Sequence, residues 1–249
     1  MLFLETANYN WLDLLDFKDD LPFKAGLNPS KLWRDLDRYK HDSKGLSNYF
    51  RKWKTKIEFL KPSRAITYLN YVAVGGEYDS EVRQSTIQIY TDQYNTFEWT
   101  VDSWGRFKQG VIQTLMHELI HMWQYVRRGD REYKYIHPYK TTQTKSKNNE
   151  RLYLSSNDEV EAYAHCAFFE IQCYKYNSKV NGFLNFNKRN PSSTIRYYLK
   201  TFEYDKQNQA TVRLFKHILK WQTKYKKLYS KEMINGGYNH KRPATKRQS

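Results

Sequence analysis

The sequence has few cysteines, and their spacing excludes a disulfide bond between them. There are two, Cys166 and Cys173. On one helix, that separation corresponds to roughly 10 Å of rise, which is too far for a disulfide. A chain without disulfides fits a reducing compartment. The first residues also lack the basic start and the apolar core of a signal peptide. We therefore expect a cytoplasmic protein.

The chain also lacks a membrane-spanning apolar run and is short of acidic residues. No stretch approaches the ~20 apolar residues that a transmembrane helix needs, so we predict no membrane association. Asp and Glu number 26 against 42 Lys and Arg, a formal net charge of +16 at pH 7. Basic residues concentrate in segments 216–231 and 240–247. This excess favours anionic partners, nucleic acid first, although a solvated basic surface is the simpler explanation.

The most specific pattern in the chain is H-E-x-x-H, formed by His117, Glu118 and His121. On a helix, residues four apart share a face, about 5–6 Å apart at Cβ. Two imidazoles at this spacing can bind one metal ion, usually zinc. The glutamate between them can accept a proton from metal-activated water. We therefore predict His117 and His121 as zinc ligands and Glu118 as the catalytic general base.

The residues around the motif predict a buried helix. Apolar residues recur with a helical period from Val111 to Trp123. Arg127 and Arg128, followed by Gly129, are typical of a helix C-terminus. A simpler explanation is an amphipathic helix whose histidines face solvent. However, imidazoles on a mostly buried helix are costly unless something satisfies them. The context therefore favours a metal site.

A third ligand is expected from a second helix, at residues 155–171. Ser156 and Glu159 have the spacing of a capping box, which begins the helix there and gives Glu159 a structural role. Glu161 then lies in the second turn among small residues, which allow a neighbouring helix to approach closely. Because catalytic zinc normally has three protein ligands, we predict Glu161 as the third.

Several residues compete with Glu161 for this role. Asp158 or Glu159 would replace it if the helix began later in the chain. His137 lies in the connection that follows the motif helix. His165 lies one turn beyond Glu161, where an internal hydrogen bond, or one that orients Glu161, is favoured over direct ligation. A glutamate at this position would also be explained by the helix dipole alone.

With H-E-x-x-H on one helix and glutamate on the next, the chain resembles the gluzincin branch of zinc metallopeptidases. Segment 159–164, EVEAYA, is similar to the E-x-E-A segment of ImmA/IrrE-type peptidases, and this resemblance implies Glu161 as the third ligand. Segment 117–124, HELIHMWQ, also resembles SprT/Spartan-type peptidases, whose third ligand is a downstream histidine, matched here by His137. Composition and motifs together resemble small HExxH proteins of tailed phages, which implies the cytoplasm of a bacterium or a phage-infected host.

The remaining sequence predicts an α+β fold, which the resemblance makes zincin-like. A small antiparallel or mixed sheet is expected to pack on the metal-binding helices. Its strands are predicted at residues 65–74, 86–90 and 97–101. Helices are predicted at 31–39, from Ser47 to Leu60, at 192–202 and at 211–228. An edge strand beside the metal would suit an extended peptide.

We expect one domain over residues 1–232, because the chain has no internal repeat or long linker. It divides into an N-terminal helical region of about 1–62, a catalytic core of about 63–178 and C-terminal helices of about 190–230. The basic segment 233–249 is predicted to be a disordered tail. The aromatic content of 17% indicates a folded protein rather than a disordered one.

The leading functional prediction is a zinc peptidase that acts on protein or peptide substrates. The alternative is a non-enzymatic DNA- or virion-binding protein that keeps zinc as a structural staple. A third hypothesis is a zinc hydrolase with a different substrate. The motif favours the first, because a purely structural zinc does not require Glu118 and more often has closed, cysteine-rich ligand sets.

Overall fold

The computed structural model describes residues 29–62, 72–129, 147–173 and 180–235. Its helices, in chain order, are α1 (Pro29–Leu36), α2 (Ser43–Phe50), α3 (Val101–Arg127), α4 (Lys147–Leu154), α5 (Asn157–Cys173), the one-turn α6 (Val180–Phe183), α7 (Ser193–Thr201) and α8 (Gln209–Asn235). Short 3₁₀ turns follow α1 and α2 at Asp37–Tyr39 and Arg51–Trp53. Its strands are β1 (Thr55–Phe59), β2 (Ala73–Asp79) and β3 (Gln84–Tyr90).

The three strands form one mixed sheet in the order β1-β3-β2. β1 runs parallel to β3, with Ile57 opposite Ile87, and β2 runs antiparallel to β3, with Gly76 opposite Ile87. Ile87 and Ile89 of the central strand are fully buried. The predictions of an α+β fold and of a small antiparallel or mixed sheet are therefore confirmed, and the sheet is mixed. β2 forms one edge of this sheet.

The sequence prediction of helix from Ser47 to Leu60 is wrong at its C-terminal end. The helical part ends at Trp53, and Lys54 adopts a left-handed conformation with φ of 50°. The chain then enters β1, where Thr55 and Ile57 are buried and Lys56 between them is exposed. This alternation is typical of a strand with one buried face. In the sequence this short alternating segment follows directly on the helical pattern, and only its pairing with β3 identifies it as a strand.

The predicted strand at residues 97–101 is not a strand. Its alternation reflects aromatic packing in a loop, because Phe97 lies against Trp99 at 4.6 Å between ring centroids. Thr100 is the N-cap of α3, where it exchanges hydrogen bonds with Ser103 in a capping box. Such a cap begins a helix by satisfying free backbone N–H groups. The first predicted strand, at 65–74, lies mostly outside the described residues.

Helix α3 packs against β2, β3 and α5, and thus connects the sheet to the helical layer. Its apolar positions from Val111 to Trp123 are buried, as the periodicity predicts. The helix ends at Arg127, and Gly129 follows with φ of 67°, which is the predicted stop. In addition to α3, helix α5 packs against α7 and α8.

The C-terminal helices agree with the sequence prediction. Ser192 caps α7 by accepting a hydrogen bond from the Ile195 N–H. Helix α8 extends to Asn235, so the first residues of the predicted tail are helical, and the remainder lies outside the described residues. Among the helices of the described part of the chain, none is long and apolar enough to cross a membrane.

Candidate metal centre

Helices α3 and α5 bring together two histidines and a carboxylate. His117 and His121 lie one turn apart on α3, and Glu159 lies in the first turn of α5. The two imidazoles meet edge to face, with ring centroids 4.6 Å apart. Among the described residues, these three side chains form the group whose ligand atoms could hold a metal ion.

The ligand atoms are close to the separations that a metal ion requires. The Nε2 atoms of His117 and His121 are 3.0 Å apart. The Glu159 carboxylate divides between them, with Oε2 at 3.2 Å from His117 Nε2 and Oε1 at 3.2 Å from His121 Nε2. Tetrahedral zinc with bonds of about 2.0–2.1 Å has ligand atoms about 3.3 Å apart. The three side chains therefore fit zinc with only small adjustments.

Because the cluster is buried, the charges of its side chains strongly shift one another's pKa values. Burial alone would lower the pKa of His121, but the Glu159 carboxylate outweighs it and raises that pKa to about 10. Burial opposes ionisation of Glu159, yet the two histidines hold its pKa well below its usual range. A cation is thus favoured between these groups, and either a proton or a metal ion can provide the positive charge.

Glu118 is a fourth ionisable side chain at this site. It is only 4% exposed. Burial raises the pKa of its carboxyl group. The charge of Glu159 adds to this increase, and His117 and His121 reduce it. A carboxylate in this position costs free energy unless a cation compensates it. The structure therefore places next to the three candidate ligands an acid that is not part of the ligand set.

Glu161, the predicted third ligand, does not face the two histidines. Its carboxylate accepts hydrogen bonds from Arg127 Nη2 at 3.1 Å and Gln124 Nε2 at 3.2 Å. Lys220 and His217 of α8 lie 3.6 and 4.0 Å from its other oxygen. The structure thus brings Glu159 to the histidines in its place.

The physical reason lies in the geometry of α5. Residues two apart on a helix are related by a rotation of about 200°, so their side chains point in nearly opposite directions and only one of these glutamates can face the two histidines. Ser156 does begin the helix as predicted, because its Oγ accepts the Glu159 N–H at 3.3 Å. The Glu159 side chain, however, turns to the histidines. The capping pattern located the helix start but not the direction of this side chain.

The other competitors are placed as follows. Asp158 pairs with Arg128, at 2.6 Å between Oδ2 and Nη1. His165 is fully buried beside Trp221 of α8, with ring centroids 5.0 Å apart at 90°. His165 thus lies inside the protein and outside the group that could hold a metal ion, and the internal hydrogen bond expected for it stays a prediction. His137 lies outside the described residues.

Three side chains that sequence reasoning did not assign surround the ligands. Tyr163 lies against the His117 ring, at 4.6 Å between centroids, and the Tyr153 side chain hydrogen-bonds to Glu159. Cys166, a free and buried thiol, has its Sγ 3.9 Å from His117 Nδ1. Burial raises the pKa of that thiol well above its usual value. The tyrosines carry no distinguishing signal in a sequence with 22 of them.

The edge strand β2 runs next to Glu118. A Cβ atom at Gly76 would lie 2.5 Å from Thr114 Cγ2 and 2.8 Å from Glu118 Oε1. Real Cβ atoms do not approach other atoms so closely, so glycine permits the strand to lie directly on this part of α3. Gly75 and Gly76 follow the strand predicted at residues 65–74, and both lie within β2.

Comparison of the chain with protein-family models, with curated proteins and with solved structures finds no match.

Proposed function

We propose that the protein is a zinc-dependent peptidase with a zincin-like core. His117 Nε2, His121 Nε2 and the Glu159 carboxylate would hold the metal ion. Zinc at this position would polarise the scissile carbonyl group and lower the pKa of a water molecule towards about 7. Glu118 would accept the proton of that water and then donate it to the leaving amine.

The observation that carries this proposal is the buried carboxylate of Glu118. A zinc ion that only stabilises the fold needs ligands and no additional acid beside them. Glu118 is 4% exposed and lies next to the ligand set without belonging to it. Because an uncompensated buried carboxylate destabilises a fold, a function in proton transfer accounts for its presence. Burial also raises the pKa of its carboxyl group, which is the direction of change that makes a carboxylate a better proton acceptor.

The position of β2 supports a protein or peptide substrate. β2 is an edge strand and lies directly on α3 at Gly76. An extended peptide can add to such an edge through main-chain hydrogen bonds. Its backbone would then run past Glu118, where the scissile bond must lie. This arrangement favours peptide hydrolysis over hydrolysis of a substrate without an extended backbone.

The alternative is a non-enzymatic DNA- or virion-binding protein in which zinc is a structural staple. Two observations favour it: the candidate ligands are largely buried, and the net charge is +16. Basic side chains such as Arg213, Lys216 and Lys220 lie on α8. Such a surface would attract nucleic acid by counterion release. A cytoplasmic location and a phage origin stay predictions under either function.

The test combines metal analysis with cleavage assays. Wild-type protein, Glu118→Gln and the control Glu203→Gln are each purified and analysed for zinc by mass spectrometry. Cleavage is then measured with fluorescein-labelled casein and with a library of quenched fluorescent peptides. Glu203 suits the control because it is an exposed glutamate paired with Lys147 and Arg151.

We expect one zinc per chain in all three proteins, with cleavage by wild type and Glu203→Gln only. Loss of one general base should lower the rate by about 100-fold to 10,000-fold. Zinc in all three proteins with no difference in cleavage would support the structural staple instead. Absence of zinc from the wild-type protein after exposure to excess zinc would contradict both functions.

A further inference from the structure

Gln124 connects His121 to Glu161 through a fully buried amide group. Its Oε1 lies 2.9 Å from His121 Nδ1. Its Nε2 donates to the main-chain oxygen of Asp158 at 3.0 Å and to Glu161 Oε2 at 3.2 Å. The residue has no exposed surface. It lies one helical turn after His121, and both of its polar atoms have partners inside the protein.

These partners determine which way the amide group faces. A main-chain carbonyl oxygen can only accept hydrogen bonds, so the NH₂ group of Gln124 must face Asp158. The amide oxygen then faces His121 and can only accept. His121 Nδ1 must therefore carry a proton. Because neutral imidazole has one N–H, this leaves the Nε2 lone pair available on the side of Glu159 and His117.

Glu161 strengthens the same orientation from the other end. Its carboxylate accepts from the Gln124 NH₂ group, and it would repel the amide oxygen if the group were reversed. Arg127 at 3.1 Å and Lys220 at 3.6 Å supply positive charge around it. Glu161 is itself buried, at 4% exposure. Its position is thus determined by contacts with side chains of α3 and α8 that are not candidate metal ligands.

We propose that Gln124 is a positioning residue that orients His121 for metal binding, and that Glu161 acts through Gln124 rather than on the metal. The inference rests on the proposed zinc site. It gives the orientation of His121 a cause in two consecutive contacts, from Glu161 to Gln124 and from Gln124 to His121 Nδ1. Outer partners of this kind commonly change metal affinity by about 10-fold to 100-fold.

The first test measures zinc affinity by competition with a chelator. Gln124→Leu removes both hydrogen-bonding atoms of the amide, and we expect it to weaken zinc binding by about 10-fold to 100-fold. Gln113→Leu is the matched control, because Gln113 lies on the same helix and bonds to Glu170 at 2.8 Å. That control should bind zinc within about 2-fold of wild type, because the Gln113 side chain bonds to Glu170 and Glu170 is not a candidate ligand. Thermal unfolding of the metal-free proteins ensures that only folded variants are compared.

A second measurement follows the His121 Nδ1–H proton by NMR and does not depend on zinc. Whether His121 is neutral or charged, the contact with Gln124 Oε1 should protect this proton from solvent exchange. We expect a slowly exchanging signal in metal-free wild type and in Gln113→Leu, and its loss in Gln124→Leu. If the proton is protected but the wild-type protein binds no zinc, the hydrogen bond between Gln124 and His121 is present. The proposed zinc-dependent function is then contradicted.

A double variant tests whether Glu161 acts through Gln124. Glu161→Leu should weaken zinc binding less than Gln124→Leu does, because the Asp158 oxygen still holds the amide. Combining the two substitutions should weaken binding no further than Gln124→Leu alone. Unchanged zinc affinity in folded Gln124→Leu would overturn the inference. A loss of zinc affinity in Glu161→Leu that equals or exceeds the loss in Gln124→Leu would also overturn the inference, because Glu161 would then act directly on the metal.

Discussion

Glu159 and Glu161 show how two neighbouring acids of one helix acquire different environments. Glu159 faces the two histidines of α3, while Glu161 faces Arg127 and α8. Both are at least 94% buried, so each carboxylate needs its own source of positive charge. Protons or a metal supply it for Glu159, and Arg127 with Lys220 supply it for Glu161. The two side chains are therefore not interchangeable.

This difference predicts that the same Glu→Gln substitution weakens zinc binding much more at position 159 than at position 161. Glu159→Gln should weaken zinc binding by more than about 100-fold, beyond the effect of an outer partner, because it removes the charge of a direct ligand. Glu161→Gln should weaken it by less than about 10-fold, since the amide of the new side chain can still accept from Gln124. Chelator competition measures both. Retention of zinc by Glu159→Gln together with its loss from Glu161→Gln would reverse the assignment and restore the ligand predicted from the sequence.

At the scale of elements, the close approach of β2 to α3 depends on Gly76. Its φ is not positive, unlike that of Gly129, so backbone conformation does not require glycine here. The requirement is space, because any Cβ would meet Thr114 and Glu118. Gly75 lies on the opposite face of the strand, where a Cβ would have an ordinary contact of 3.4 Å with Tyr90.

The pair Gly76→Ala and Gly75→Ala tests this contact. Gly76→Ala must displace Thr114 or Glu118, so we expect cleavage to fall by up to about 100-fold while zinc stays bound. Its free energy of unfolding should fall by about 1–3 kcal/mol from overpacking. Gly75→Ala should keep both zinc and activity. Peptide cleavage, zinc content and urea denaturation are measured for each, and equal activity of the two variants would contradict the role of the contact.

A second junction of elements is the carboxylate of Glu170 on α5. It accepts hydrogen bonds from the hydroxyl groups of Ser192 and Ser193 at 2.5 Å each. The backbone N–H of Thr194 also donates to it at 3.2 Å. The acid thus satisfies the N-terminus of α7, where negative charge is favourable. This contact holds α7 on α5.

Glu170→Gln should reduce the free energy of unfolding by about 1–3 kcal/mol, because an NH₂ group would face hydrogen-bond donors. Glu150→Gln is the surface control. Glu150 accepts one hydrogen bond from Tyr197 at an exposed position, so its replacement should change stability by less than about 0.5 kcal/mol. Urea denaturation at neutral pH measures both variants. A stable Glu170→Gln protein would show that the serine hydroxyl groups alone cap α7.

At the scale of the whole molecule, His165 makes the fold sensitive to acid. It is fully buried between α5 and α8. Burial, with smaller contributions from the positive charges of His117 and Lys224, lowers its pKa from 6.5 to about 3. Above pH 6.5 the imidazole is neutral in both the folded and the unfolded chain. As the pH falls below 6.5, the unfolded chain binds a proton that the folded protein does not, so stability decreases.

The expected loss is up to about 1.4 kcal/mol per pH unit, or about 2 kcal/mol between pH 6.5 and pH 5. It should be absent from His165→Leu and His165→Gln, which cannot bind this proton. The measurement compares the free energy of unfolding at pH 7 and pH 5 for each protein, so that the stability change caused by the substitution itself cancels. The same pH dependence in wild type and both variants would assign the acid sensitivity to other groups.

Much of the helical framework could be predicted from local patterns. The apolar period of α3 and its stop at Gly129 are properties of the chain itself. So is the capping serine of α7. Strand β1 and the aromatic loop before α3 were harder to predict than the helices. Their short alternating segments resemble one another, and only pairing with β3 distinguishes a strand from a loop.

The sequence by itself determined that His117 and His121 share one face of a buried helix with Glu118 between them, because helical spacing is a local property. It also determined that α5 begins near Ser156. Only the tertiary structure decided that Glu159, rather than Glu161, meets the two histidines. That choice depends on the rotation of α5 about its own axis, which is set by packing against α3, α7 and α8 rather than by local sequence.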